Sequence, residues 1–141
     1  PGARRPVKTL DASALIDFLL VPEEFDQHVS ILKDNLIAPA ILVPEVLNAL
    51  KKAYLTKRVS RAQANQAAKY FASFNITLVT LSAYRHEMWE SVNNLTPYDA
   101  SYVLVARHTQ TPLVTSDSRL AKASPRDIHS PPSPSWPPRR K

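Results

Sequence analysis

The chain has 141 residues, of which 44% are hydrophobic, so its size and composition favour a single folded domain with its own core. It contains no cysteine, which excludes disulfides and thiolate metal sites. No stretch approaches the ~18 consecutive apolar residues of a membrane span, and no apolar signal segment follows the basic residues near the N-terminus, so we expect a cytoplasmic protein.

The net charge of +6 lies in the two ends of the chain. Residues 1–8 and residues 125–141 each carry a net +3, while the residues between them are balanced. Basic ends can help to bind phosphate, but solvated ends explain the same charges equally well. The charge alone therefore does not indicate a nucleic-acid-binding protein.

Glycine and proline are distributed unevenly. The one glycine is at position 2, which excludes the glycine-rich loops of P-loop and dinucleotide-binding sites. Proline is concentrated near the C-terminus, where the segment SPPSPSWPPRRK has no periodicity and little to bury. We therefore predict a basic extension at 1–6, a folded domain at 7–124 and a disordered tail at 125–141 that is dispensable for folding. Trp136 lies in this tail, and we assign it no role.

Strand and helix patterns alternate between these ends. In chain order we predict a strand at 7–10, helices at 13–20 and 22–35, a strand at 36–38, a helix ending near 54, a helix after 60, a strand at 76–81, helices at 82–93 and 97–108, a strand at 112–115 and a short helix from 116 or 117. Ser13 is the expected N-cap of the first helix. Ser60 with Gln63 forms a capping box, and Thr96 precedes a proline at the first helical position. The alternation predicts an α/β fold with a mostly parallel sheet.

Four acidic residues fall at strand ends or helix starts. Asp11 directly follows the first strand, and Asp117 lies two residues after the last. Asp99 lies in the first turn of its helix, and Glu45 near the start of another. Any one of them is more often a helix cap than a ligand, because helix N-termini favour acids. Parallel sheets bind ligands outside the carboxyl ends of their strands, so we expect these four acids to meet at one edge.

Carboxylates gathered in this way repel one another. Two of them ~4 Å apart cost roughly 4 kcal/mol at an effective dielectric near 20. A divalent cation removes this cost, and ligands that are all oxygen favour a hard ion, Mg²⁺ or Mn²⁺.

The motifs around the acids resemble those of PIN domains, most closely the small VapC-type ribonuclease toxins of toxin–antitoxin pairs. DASALIDFLL is similar to the first motif of the family, with Asp11 as its metal acid, and EVLNAL to the second, with Glu45. YDASYVLVARHTQTPLVTSD is similar to the third and fourth together, with Asp99 and Asp117. Each motif alone is weak, but their order and spacing make the combination strong.

The resemblance implies a PIN-like nuclease domain over residues 7–124, with three α/β/α layers and a sheet of four or five strands. It also implies a Mg²⁺- or Mn²⁺-dependent endoribonuclease, in which a metal-held water attacks the RNA phosphodiester in line. As a toxin of this kind, the chain is expected to have a small antitoxin partner and to form a homodimer. The alternative is a PIN-like protein with weak catalysis that acts by binding RNA or a partner.

Three polar residues are predicted to assist the acids or contact substrate: Ser13 and Thr115, which lie beside acids in the motifs, and Asn48, one turn after Glu45. A surface amide is an equally good interpretation of Asn48. We read Asp17 as a solvated or supporting acid.

The sequence leaves two interpretations open for each of the remaining groups of residues. A basic cluster either lines an RNA path or is a solvated surface: Lys51, Lys52, Lys57, Arg58 and Arg61. Three histidines are read as surface or helix residues because they lack metal-ligand spacing: His28, His86 and His108. Three large side chains are assigned to the core or a dimer interface: Met88, Trp89 and Tyr102.

Overall fold

Four short parallel strands form the centre of the protein. The computed structural model describes residues 6–123 and 136–137. Its strands are β1 (Val7–Leu10), β2 (Asn35–Pro39), β3 (Ile76–Val79) and β4 (Leu113–Val114). They lie in the order β3-β2-β1-β4, and every neighbouring pair is parallel. The carboxyl ends of all four strands therefore meet at one edge of the sheet, as the sequence predicted.

Helices cover both faces of this sheet. They are α1 (Ala12–Leu20), α2 (Leu42–Leu55), α3 (Arg61–Ala72), α4 (Arg85–Glu90), α5 (Pro97–Thr109) and α6 (Ser118–Ala123), with 3-10 segments at Pro22–Lys33 and Ser82–Tyr84. The first three α-helices pack on one another, while α5 crosses β1 and β2 with α4 and α6 beside it. This is the predicted three-layer α/β/α fold.

The core lies where α1, α2 and α5 meet the sheet. Leu10, Leu15, Leu42 and Val46 are fully buried there. The middle of α5 is buried on every side, because it passes between the sheet and its neighbouring helices. Burial of these side chains holds the N-termini of α1, α2 and α5 in place, and these ends carry the acids of the predicted site.

The structure differs from the sequence prediction at the start of α1. We expected Ser13 to be the N-cap, but the helix begins at Ala12, and Asp11, with φ −83° and ψ 146°, is the extended residue before it. The side chain of Ser13 therefore lies inside the first turn, where its hydroxyl contacts Asp11 and Thr115. The capping box of Ser60 and Gln63 and the cap by Thr96 are both confirmed.

Smaller differences occur at three other elements. The helix predicted at 22–35 is a 3-10 segment, Pro22–Lys33. The strand predicted at 76–81 ends at Val79, and the helix predicted at 82–93 is a 3-10 turn followed by α4. None of the helices within residues 6–123 is long and apolar enough to cross a membrane.

Most of the predicted tail lies outside the described residues, but Trp136 does not. Its side chain is only 7% exposed, and its ring stacks on Phe25 with the centroids 4.9 Å apart. It also meets the edge of His28. The sequence did not reveal this contact, because a lone aromatic residue among prolines gives no local sign of the surface on which it packs.

Candidate active site

The four predicted acids come from four different elements at the carboxyl edge of the sheet. Asp11 joins β1 to α1, and Asp117 lies between β4 and α6. Glu45 is in the first turn of α2, and Asp99 in the first turn of α5. The negative charges of Asp99 and Asp117 both raise the pKa of Asp11, as expected for carboxylates gathered at one edge of the sheet.

Asp11 is the most deeply buried of these acids, with 4% of its surface exposed. Its Oδ2 atom accepts hydrogen bonds from Ser13 Oγ at 2.5 Å and from Thr115 Oγ1 at 2.7 Å. The two hydroxyl oxygens are 3.2 Å apart, so they form a closed triangle with the carboxylate. This contact supports the prediction that Ser13 and Thr115 assist the first acid.

A chain of hydrogen bonds connects this triangle to the C-terminal segment. The backbone N–H of Ser116 donates to Ser13 Oγ at 3.1 Å. The indole Nε1–H of Trp136 in turn donates to Ser116 Oγ at 3.0 Å, in a buried contact. Ser116 and Ser13 thus connect Trp136 to Asp11 through hydrogen bonds.

The pKa of Asp11 is raised above its ordinary value, chiefly because burial disfavours the charged form. The hydrogen bonds from Ser13 and Thr115 lower it, and the charges of Asp99 and Asp117 raise it further. The carboxylate of Asp11 therefore lies where water solvates its charge poorly, which is unfavourable in free energy. Such a position favours the binding of a cation.

Glu45 is held by a residue from the opposite layer. Its Oε1 accepts a hydrogen bond from the hydroxyl of Tyr102 at 2.9 Å. Burial raises the pKa of Glu45, the Tyr102 hydrogen bond lowers it, and the charges of Asp11 and Asp99 raise it. Burial and then the charge of Glu45 raise the pKa of Tyr102, so its hydroxyl remains a neutral donor. We had assigned Tyr102 only to the core or an interface.

Asp99 and Asp117 share one cation. Arg119 Nη2 lies 3.3 Å from Asp99 Oδ2 and 3.6 Å from Asp117 Oδ2. Asp117 also caps α6, since its Oδ1 accepts from the backbone N–H of Arg119 at 2.9 Å. The cap of α5 is formed by Thr96, which leaves the carboxylate of Asp99 for other contacts.

The chemistry of this site suits a hard divalent ion, because every candidate ligand is a carboxylate oxygen. The raised pKa of Asp11 is the cost that such an ion would relieve. Among the described residues, however, no three acidic or histidine side chains are arranged so that together they could hold one metal ion. The acids are gathered at one edge but do not yet converge on one point.

Other predicted residues have mixed outcomes. Asn48 is exposed on α2, so a substrate contact and a surface amide both remain open. Asp17 is buried rather than solvated. Trp89 is 69% exposed, so it does not belong to the core. His28 is only partly exposed, because Trp136 covers it.

The basic cluster lies at the end of α2 away from Glu45 and continues into α3. The guanidinium of Arg61 stacks on the ring of Tyr54 at 4.7 Å. Lys52 and Arg58 line a cavity of about 770 Å³ between α1 and α2, which Pro137 also borders. The cavity gives these two side chains a concave surface, and their contact with RNA stays a prediction.

The sequence interpretation missed two residues that contact the acids. Tyr102 lies one turn after Asp99, on the face of α5 that the acid also occupies, and this spacing was a usable signal. Arg119 lies two residues after Asp117, but a basic residue in a helical first turn is ordinarily a surface residue, so nothing singled it out.

The sequence is similar to those of known ribonucleases. The chain is 29% identical over 112 residues to VapC ribonuclease Mb0985 of Mycobacterium bovis, across 79% of this chain and 87% of that protein. It is 36% identical over 92 residues to ribonuclease VapC1 of Mycobacterium tuberculosis, across 61% of this chain and 65% of that protein.

The fold and the family agree with these relatives. The structure of PAE2754 from Pyrobaculum aerophilum superposes with a TM-score of 0.63 and 29% sequence identity, covering 87% of this chain and 88% of that one. The family model of the PIN domain matches residues 8–124, a range that includes all four acids. The resemblance predicted from the acidic motifs is confirmed, and the chain belongs to the PIN domain family.

Proposed function

We propose that this protein is a Mg²⁺- or Mn²⁺-dependent endoribonuclease that acts as the toxin of a toxin–antitoxin pair. One observation carries the proposal: four acids from four elements meet at the carboxyl edge of a PIN-type sheet, where burial and mutual repulsion raise the pKa of Asp11. The relatives named VapC ribonucleases support the substrate class.

The four acids would hold the ion, and each has a distinct setting. Asp11 is fixed by two hydroxyls, Glu45 by the phenol of Tyr102, and Asp117 by the backbone of α6. A divalent ion bound there would activate the attacking water and neutralise the charge that develops on the phosphate. The protein's own part is to hold the carboxylates at fixed positions, so that little reorganisation is needed during reaction.

We also propose a small antitoxin partner, a homodimer and a cytoplasmic location, on the strength of the family resemblance. An inhibitory segment of the partner can place an arginine against the carboxylates in the position of the metal. Isolation of the protein with a small bound partner from its native host is the expected result. Recovery without any partner would count against the toxin assignment.

One observation favours the alternative of an RNA- or partner-binding protein with weak catalysis. No three acids of the described chain are arranged to hold an ion, and two of them are paired with Arg119. A protein that retained this arrangement with metal present would bind RNA without cleaving it.

Substitution of Asp99 by Asn separates the two functions. Asn keeps the shape of the side chain and leaves the Thr96 cap intact, but removes one charge from the site. If Asp99 is a ligand, RNA cleavage by the Asp99→Asn protein should fall by at least ~100-fold, as for other preorganised charged groups. Its affinity for Mn²⁺, measured by calorimetry, should fall as well.

The matched control is Asp26→Asn, which removes a charge from an exposed acid of the 3-10 segment Pro22–Lys33. It should cleave RNA at the wild-type rate, and EDTA should abolish cleavage in both proteins. Full activity of Asp99→Asn, or cleavage that persists in EDTA, would disprove the metal-site assignment.

A further inference from the structure

Arg119 is the one residue that bridges two of the site acids across separate elements in the described structure. Asp117 caps α6 with its Oδ1 atom, which places Arg119 in the first turn of that helix. From there the guanidinium turns back over the site, and its Nη2 atom reaches Oδ2 of both Asp99 and Asp117. The two carboxylates are thus held toward α6.

The contacts of Arg119 with the two carboxylates are weak enough for another cation to replace the guanidinium. The Arg119 side chain is 67% exposed, while those of Asp99 and Asp117 are 26% and 33% exposed. Exposed ion pairs are weak because water screens both charges. Both contacts are also longer than the usual 2.7–2.9 Å of a charge-assisted hydrogen bond. A divalent ion with stronger attraction for the same oxygens would displace the guanidinium.

The same ion pair can explain why no three of the described acids are arranged to hold one ion. Asp11 is locked in place by its hydroxyls, so convergence requires Asp99 and Asp117 to turn toward it. Instead, the Oδ2 atoms of Asp99 and Asp117 are paired with the guanidinium of Arg119 on α6. Release of this bridge is therefore the step that would complete a metal site.

We propose that Arg119 is the resting counter-ion of the site: it occupies Asp99 and Asp117 until a divalent ion displaces it, and it then binds the RNA phosphate. This proposal rests on the proposed metal-dependent ribonuclease activity. Once displaced, the guanidinium remains at the exposed rim of the site on a short helix. Its planar fork matches the geometry of a phosphate group.

Magnesium titration followed by nuclear magnetic resonance tests the displacement directly. The side-chain Nε–H signal of Arg119 is identified by its loss in Arg119→Gln. In wild-type protein it should shift on addition of Mg²⁺ at the same concentrations that shift the backbone amide of Asp99. A shift of the Asp99 amide without any change at Arg119 would overturn the proposal. No shift at either group would instead disprove the metal site itself.

Metal affinity gives a second, independent measurement. Without its competitor, Arg119→Gln should bind Mn²⁺ about 5-fold or more tightly in calorimetry, since less of the protein is held in the closed arrangement. Arg85→Gln removes the same charge from α4, where the guanidinium contacts only the carbonyl of Ser82 among the contacts described. It should bind Mn²⁺ as the wild type does. Equal affinities in all three proteins would refute competition at the acids.

Kinetics test the second role of Arg119. With saturating Mg²⁺, Arg119→Gln should show a KM for RNA raised by about tenfold, because a charge-assisted phosphate contact is lost. The Mg²⁺ concentration needed for half-maximal cleavage should fall at the same time. A folding defect would not move these two quantities in opposite directions. An unchanged KM would show that Arg119 does not bind the RNA phosphate.

Discussion

The two halves of the site stabilise their carboxylates with different partners. The inner half, formed by Asp11, Ser13, Thr115 and Ser116, is buried, and its carboxylate is satisfied by neutral hydroxyls. The outer half, formed by Asp99, Asp117 and Arg119, is partly exposed, and its two carboxylates share a guanidinium. Both halves lie at the carboxyl edge of one sheet, so burial is the variable that separates them.

The difference shows which half can respond to a ligand. A buried cation would have to be desolvated, and hydroxyls avoid that cost because they are neutral. The hydrogen bonds of the inner half are therefore formed by folding alone, without a cation. In the outer half, the cation is exposed and weakly held, so its place is open to an ion from solution. Glu45 is intermediate, since a neutral phenol holds it at a half-buried position.

The largest expected effect comes from removing one charge from each half. Asp11→Asn and Asp117→Asn should each reduce RNA cleavage by orders of magnitude, since both remove a proposed metal ligand. Their effects on the metal-free fold should differ. Asp11→Asn should raise Tm, because the burial that raises the pKa of Asp11 no longer acts on a charge.

Asp117→Asn should change Tm little, because Asn caps a helix about as well as Asp. The lost pair with exposed Arg119 contributes at most about 1 kcal/mol. Thermal unfolding in EDTA measures both proteins against the wild type. A lower Tm for Asp11→Asn than for Asp117→Asn would show that the inner half needs its charge and would reverse the comparison.

Trp136 gives the next largest effect, on stability rather than chemistry. Trp136→Ala should destabilise the protein by about 3 kcal/mol, because it removes a buried indole and leaves a cavity against Phe25. Trp136→Phe keeps an aromatic ring on Phe25 but loses the donor to Ser116, which costs about 1 kcal/mol. Urea unfolding of the full chain measures both.

The phenylalanine variant also connects Trp136 to the inner half. Ser116 donates its backbone N–H to Ser13, so a looser Ser116 should weaken the hydroxyl triangle around Asp11. Trp136→Phe should therefore reduce cleavage more than its small loss of stability explains. An unchanged free energy of unfolding in Trp136→Ala would support the prediction that residues 125–141 are dispensable for folding.

The sequence was sufficient for the parts of the site that depend on local pattern. The acids were found because each lies at a strand end or helix start, and these positions follow from periodicity and from capping signals such as Thr96. Ser13 and Thr115 were found because they lie within two residues of an acid in the chain. Parallel order then brought separate motifs to one edge.

Contacts between distant segments were not predictable in the same way. The Tyr102 hydroxyl reaches Glu45 across 57 positions of the chain, and its polar end was hidden by its position in a buried helix. Trp136 finds Phe25 and Ser116 from a proline-rich segment that carries no periodicity. Such contacts depend on where the packed helices leave space, and that is settled by tertiary structure rather than by local sequence.

The smallest expected effect is the pH dependence of stability. It tests most directly whether burial distinguishes the inner half of the site from the outer half. Burial raises the pKa of Asp11 from its ordinary value of 3.8, so the folded protein binds this proton more tightly than the unfolded chain does. Stability should therefore fall as the pH rises from about 3.8 through the raised pKa, and should be regained on acidification.

The measurement is the difference in Tm between Asp11→Asn and the wild type, taken at several pH values between 4 and 8 in EDTA. Other titrating groups are common to both proteins and cancel. The difference should be smallest at the acid end of this range, where wild-type Asp11 is most protonated, and should widen in favour of Asn toward neutral pH. Glu45→Gln should behave in the same direction but more weakly, because Glu45 is only half-buried. A difference that is constant with pH would mean that the hydroxyls of Ser13 and Thr115 offset the burial of Asp11 completely, and the inner half would then carry no unrelieved charge for a metal ion to neutralise.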